Sequence, residues 1–169
     1  MNVRILGLDL ATRTGFCHGK PDECPTLGHH CLPKTGEDVG AFLGAAEKWL
    51  TGLLVTVVPG IVCFESPILP QQTSLATTRK LHGLAGMLEL VCLRAAVECA
   101  EVQPSIVKKV LTGSGKAKKP DMMKAARAMG FDPKVDDEAD ALGVWLAVVR
   151  MRHPQHAGRL DPLNFQRSA

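Results

Sequence analysis

Residues 3–10, Val3-Arg4-Ile5-Leu6-Gly7-Leu8-Asp9-Leu10, decide the fold. The stretch is aliphatic with one carboxylate near its end, so it reads as a buried strand. Alternate side chains of a strand share a face, which puts Asp9 with Val3, Ile5 and Gly7. A carboxylate on such a face is costly to bury unpaired, so Asp9 is the first candidate for chemistry.

Outward from this strand, Thr12-Arg13-Thr14-Gly15 reads as a turn, residues 15–19 as a returning strand and 26–32 as a third antiparallel strand. Residues 37–57 have helical spacing at Val39, Phe42, Leu43, Ala46, Leu50 and Leu53, and Pro59-Gly60 ends them. Ile61-Val62-Cys63-Phe64-Glu65 is a short apolar strand typical of a sheet centre, and it too ends in a carboxylate. If it lies parallel to the first strand, Asp9 and Glu65 meet at one sheet edge. Residues 72–98 read as a long helix, 99–103 as a strand and 105–111 as a short helix with Pro104 in its first turn. A glycine loop at 112–117 precedes helices at 120–129 and 137–151. The expectation is an α/β fold: a mixed five-stranded sheet, an antiparallel meander plus parallel strands, flanked by helices. It occupies residues 1–152 as one domain. Residues 153–169, with Pro154, Pro162 and no periodicity, read as a loosely ordered tail.

Composition agrees with one globular domain: 169 residues, 46% hydrophobic and 22% charged. These values exclude a disordered chain, a collagen-like fibre and a coiled coil. The formal net charge of +3 conceals an asymmetry. Between residues 104 and 127, Lys108, Lys109, Lys116, Lys118, Lys119, Lys124 and Arg127 face one acid, Asp121, a local net of +6. From Arg150 onward the net is +3, which leaves −6 for the remainder. A surface facing a polyanion beside a carboxylate cluster explains this division, and so, on charge alone, does a solvated lysine-rich helix face. The N-terminus lacks a basic region followed by an apolar run and a cleavage site. The longest apolar stretch, 49–58, is interrupted and too short to span a bilayer. A cytoplasmic protein is expected.

Cys63, Cys92 and Cys99 lie in apolar segments, where free thiols act as small hydrophobes. Cys17, Cys24 and Cys31, near His18, His29 and His30, invite comparison with a zinc site. Six residues between successive cysteines do not fit the usual knuckle. A hairpin holding Cys17 and Cys31 accounts for them better than zinc does.

A third acidic group, Asp136-Asp137-Glu138-Ala139-Asp140, opens the last helix. Asp137 and Asp140 are three apart and share a face, whereas Glu138 points elsewhere. Singly, each acid has an ordinary alternative. Asp136 or Asp137 could be an N-cap, Asp140 a helix-dipole partner and Glu65 a loop acid. Together, Asp9, Glu65, Asp137 and Asp140 would repel one another without a cation, and oxygen-only sites suit Mg²⁺. Two such ions about 3.5–4 Å apart support phosphodiester cleavage. Gly113-Ser114-Gly115-Lys116 is not a nucleotide-binding P-loop, because Val110 and Ala117 stand where that pattern needs Gly and Ser or Thr. Lysines on both sides fit a grip on a nucleic-acid backbone. Aromatics are 4% and Tyr is absent, so recognition should use backbone and shape more than stacking.

Ile5-Leu6-Gly7-Leu8-Asp9 with Thr14-Gly15, Val62-Cys63-Phe64-Glu65, the run from Pro104 to Lys119, and Asp137-Glu138-Ala139-Asp140-Ala141-Leu142 resemble the RuvC-type Holliday-junction resolvases of the RNase H-like superfamily. Order and spacing match over nearly the whole chain, and the glycine–lysine run followed by paired aspartates is the specific part. The resemblance implies a homodimer acting in DNA recombination and repair, and Mg²⁺- or Mn²⁺-dependent nicking at four-way junctions with two ions per site. It carries over Asp9, Glu65, Asp137 and Asp140 as catalytic metal ligands and Lys108 and Lys119 as DNA contacts, with Lys116 and Lys118 as helpers. Cellular members usually have an aromatic residue soon after the strand-end Glu, where this chain has Ser66-Pro67-Ile68-Leu69-Pro70. That departure implies relaxed selectivity for branched DNA, as in some phage-encoded nucleases. A non-catalytic junction-binding protein and an RNA or hybrid nuclease of the same fold remain as alternatives.

Overall fold

A computed structural model describes residues 3–68 and 73–158. Its elements are β1 (Ile5–Asp9), β2 (Arg13–Gly19), β3 (Thr26–Cys31), α1 (Val39–Val57), β4 (Ile61–Glu65), α2 (Leu75–Arg94), β5 (Glu98–Val102), α3 (Pro104–Thr112), α4 (Lys119–Ala128), α5 (Asp136–Arg152) and α6 (Pro154–Ala157). The sheet order is β3-β2-β1-β4-β5. β1, β2 and β3 pair antiparallel, and β1, β4 and β5 pair parallel. The mixed five-stranded sheet flanked by helices is the expected fold.

Strand parity divides the core. Ile5, Cys17, Ile61, Cys63 and Val102 pack with α3, α4 and α5 on one face. Leu6, Leu8, Val62 and Phe64 turn to the other face, against α1 and α2. β1 and β4 are covered on both faces, which is why their sequences are continuously apolar.

Helix α5 lies inside the molecule, with every residue from Ala141 to Val149 buried. It sits tight against the sheet because β1 carries Gly7. A β-carbon there would fall 2.9 Å from both the Ala141 carbonyl oxygen and the Trp145 nitrogen. Trp145 is fully buried, and its indole N–H donates to the Gly19 carbonyl at 3.3 Å.

Several boundaries differ from expectation. β2 begins at Arg13, so Arg13 and Thr14 belong to a strand rather than a turn. α1 begins at Val39, because the Asp38 carboxylate accepts the Ala41 N–H and caps it. α2 ends at Arg94 rather than 98. There Ala96 adopts φ +53°, and the Val97 N–H turns back to the Cys92 carbonyl, closing the helix. The segment read as a tail opens with α6, and residues 159–169 lie outside those described, as does residue 72, the predicted start of α2. Among the described residues no helix is long and apolar enough to cross a membrane.

Candidate active site

Parallel pairing of β1 with β4 sets Leu8 opposite Phe64, so Asp9 and Glu65 emerge at the same sheet edge. α5 crosses the face of Ile5 and Gly7 and brings its first two turns, with Asp137 and Asp140, to that edge. α3 supplies Lys108, and the glycine loop and the start of α4 supply Lys116, Lys118 and Lys119. All eight predicted site residues line one cleft of about 710 Å³.

The acids perturb one another. Burial, then Asp140, Glu65 and Asp137, raise the Asp9 carboxyl well above the ordinary range. Burial and Asp140 push Glu65 up to about 7, against the opposing pull of Lys108 and Lys119. Asp140 rises to about 6, chiefly through burial, with Lys119 opposing and Asp136 and Asp137 adding to the rise. Negative charge is thus crowded into a site that disfavours it, and adding a cation relieves this.

Two residues outside the predicted set shape the site. Arg13 Nε donates to Asp137 Oδ2, while its terminal nitrogen reaches Asp136 Oδ1 at 2.5 Å. Lys119 Nζ holds the other Asp136 oxygen at 2.5 Å. That bond keeps the Asp136 carboxyl below its usual range and raises the Lys119 ammonium. Asp136 and Asp137 are therefore not N-caps; Val135 occupies that position, without a side-chain cap bond. Strand parity would have found Arg13 had β2 been read from residue 13, since Arg13, Gly15 and Cys17 share the face toward α5.

Glu138 does point elsewhere. It is buried, with Oε1 2.7 Å from His29 Nδ1 and Oε2 accepting the Lys134 N–H at 2.6 Å. Cys17 is buried on β2, whereas Cys24 and Cys31 are exposed. Cys17 and Cys31 share the hairpin but are not cross-strand partners, since Cys17 pairs with Leu27 and Cys31 with Arg13.

Among the described residues, no three His, Cys, Asp or Glu side chains gather into a ready-made metal cage. The four acids ring the cleft without closing on one point, and Asp137 is engaged by Arg13. The donor set still fits a hard divalent cation: four carboxylates, with the carboxyls of Asp9, Glu65 and Asp140 raised by burial and mutual repulsion.

No protein-family model matches the chain. A crossover junction endodeoxyribonuclease RuvC of Saccharopolyspora erythraea is 31% identical over 94% of this chain and 81% of that protein. The protein of the same name from Halorhodospira halophila is 30% identical over 85% of this chain and 88% of its own. Thermus thermophilus RuvC, solved in complex with a Holliday junction substrate, shares the fold at a TM-score of 0.74 and 20% identity, over 91% of this chain and 97% of that one.

Proposed function

The chain belongs to the RuvC family of crossover junction endodeoxyribonucleases, and on that premise we propose that it is a structure-selective DNA endonuclease. Its substrates are Holliday junctions and other branched DNA, cut by phosphodiester hydrolysis. The observation that carries this reading is the cleft itself, in which four carboxylates face four lysines. One side of the site suits cations and the other suits a phosphate backbone.

Asp9, Glu65, Asp137 and Asp140 would hold Mg²⁺ or Mn²⁺, two ions per site. The ions supply the positive charge that activates a water and steadies the leaving oxygen. The chain's own residues do the rest. Glu65 and Asp9, on strand ends, are fixed by the sheet; Asp137 and Asp140 are fixed by a helix that packing holds still. Lys108 and Lys119 sit where a scissile phosphate would enter and offset its charge. Lys116 on the glycine loop and Lys118 at the cap of α4, both exposed, grip the flanking backbone.

A homodimer would present two such clefts to the two-fold symmetry of a four-way junction, giving paired nicks. The outer face of α2, where Leu75, Leu90 and Leu93 are exposed, supports an interface there. Ile68, 64% exposed at the rim of the cleft, stands where an aromatic probe is missing and supports relaxed selectivity. Residues 69 and 70 of the same stretch lie outside those described. A cytoplasmic location completes the proposal.

The test is a cleavage panel with Mg²⁺: four-way junction, Y-fork, linear duplex and RNA–DNA hybrid, each with wild type and Asp9→Asn. Junction and fork nicking that Asp9→Asn abolishes is expected. Preferential hybrid cleavage, or junction binding without any nicking, would overturn the reading.

A further inference from the structure

The next inference rests on the reading of the four acids as a cation site. Of the four, Asp137 alone forms an ion pair with the chain among the described residues, and its partner is Arg13. Asp9, Glu65 and Asp140 make no ion pair there. The side chain of Asp137 is 8% exposed and that of Arg13 is 42% exposed, so a nearly buried carboxylate is neutralised by a group half in water. The same guanidinium is held by Asp136, which also holds Lys119.

We propose that Arg13 is a displaceable internal counter-ion. It occupies Asp137 while the protein is cation-free and yields that carboxylate when a divalent cation binds. A guanidinium and a divalent cation drawn to one carboxylate repel each other, so the two compete. Release is easy for two reasons. The guanidinium is half solvated already, and its second nitrogen stays on Asp136 when Nε lets go. The planar fork of arginine makes this two-carboxylate bridge possible, and a lysine ammonium would not reproduce it. Arg13 touches neither substrate nor reacting atoms; it is a positioning residue. It keeps Asp137 facing the cleft before the cation arrives.

Calorimetric titration of Mn²⁺ into the DNA-free full chain tests this, using wild type, Arg13→Gln, Arg13→Lys, Lys119→Gln and Asp9→Asn. Arg13→Gln should bind Mn²⁺ about 5-fold more tightly, the size expected for one partly exposed ion pair. Arg13→Lys should fall between. Lys119→Gln, which removes a charge acting on Asp9, Glu65 and Asp140, should also tighten binding but leave the Arg13 Nε–H response to Mg²⁺ intact. In wild type, the Arg13 Nε–H resonance should shift and exchange faster with water on adding Mg²⁺, a readout that needs no variant. Unchanged affinity in Arg13→Gln, or an Nε–H indifferent to Mg²⁺, would overturn displacement. Wild-type binding lost in Asp9→Asn would leave the cation site standing in each of those cases. Absence of Mn²⁺ binding by wild type would remove the site and this inference together.

Discussion

Gly15 of β2 and Asp137 of α5 touch backbone to backbone: a β-carbon on Gly15 would fall inside the Asp137 carbonyl group. The first turn of α5 can reach the sheet edge only because this strand position has no side chain. Gly15→Ala should therefore push that turn away, at a cost on the order of 3 kcal/mol. Urea denaturation would read the loss, and junction cleavage should fall further than stability alone explains, because Asp137 moves with the backbone. A variant with wild-type stability and rate would show that the contact yields freely.

Stability of the cation-free protein should depend on pH with an unusual sign. Folding raises the Glu65 carboxyl from 4.5 to about 7 and the Asp140 carboxyl from 3.8 to about 6, and it raises Asp9 as well. A carboxyl raised on folding contributes stability that is complete below its unfolded value and lost as pH climbs through the folded one. The melting temperature in EDTA should decline between about pH 4.5 and 7, and Mg²⁺ should restore several degrees at pH 8. Glu65→Gln should flatten the decline and raise the EDTA melting temperature at pH 8. A melting temperature that rises over this interval, with Glu65→Gln without effect, would contradict the crowded-acid description.

Binding to junction DNA should weaken steeply with salt. Lys116 and Lys118 are exposed and make no ion pair among the described residues, whereas Lys119 is bonded to Asp136. Lys118→Ala should flatten the slope of log K against log salt by about one. Lys119→Ala should do the same only if the ammonium leaves Asp136 for a phosphate. Parallel slopes for wild type and Lys118→Ala, read by fluorescence anisotropy, would return that lysine to a solvated role.

Glu138 should matter for folding and not for cation affinity. Its carboxylate, 4% exposed, serves His29 and the Lys134 N–H. Glu138→Ala strands both donors and should cost about 2 kcal/mol, while Glu138→Gln keeps an acceptor for Lys134 and should cost less. Mn²⁺ affinity should stay at the wild-type value in both. A large change in affinity would place Glu138 in the cation site.

The sequence made the site legible because its acids sit at positions where secondary structure leaves little freedom. Asp9 and Glu65 end apolar strands, and Asp137 and Asp140 share a helical face. What parity and spacing could not convey was the ionic arrangement. Arg13 was hidden because a Thr-Arg-Thr-Gly run is polar enough to read as a turn, although β2 begins there. Spacing turned Glu138 away from the Asp137 and Asp140 face, but it could not show that Glu138 meets His29 or that Asp136 bridges Arg13 and Lys119. The end of α2 differs from the sequence expectation for a related reason. The helical apolar spacing continues to Val97, and only the left-handed Ala96 breaks it.

Helix α5 has one more consequence. Its amides from Ala141 to Val149 are enclosed by the sheet and by α3 and α4. Hydrogen exchange there should be among the slowest in the molecule and should require a large opening of the domain. Asp137 and Asp140 ride on this element, so on heating they should keep their places until the core around it opens. Protease resistance and nuclease competence should therefore disappear together on heating.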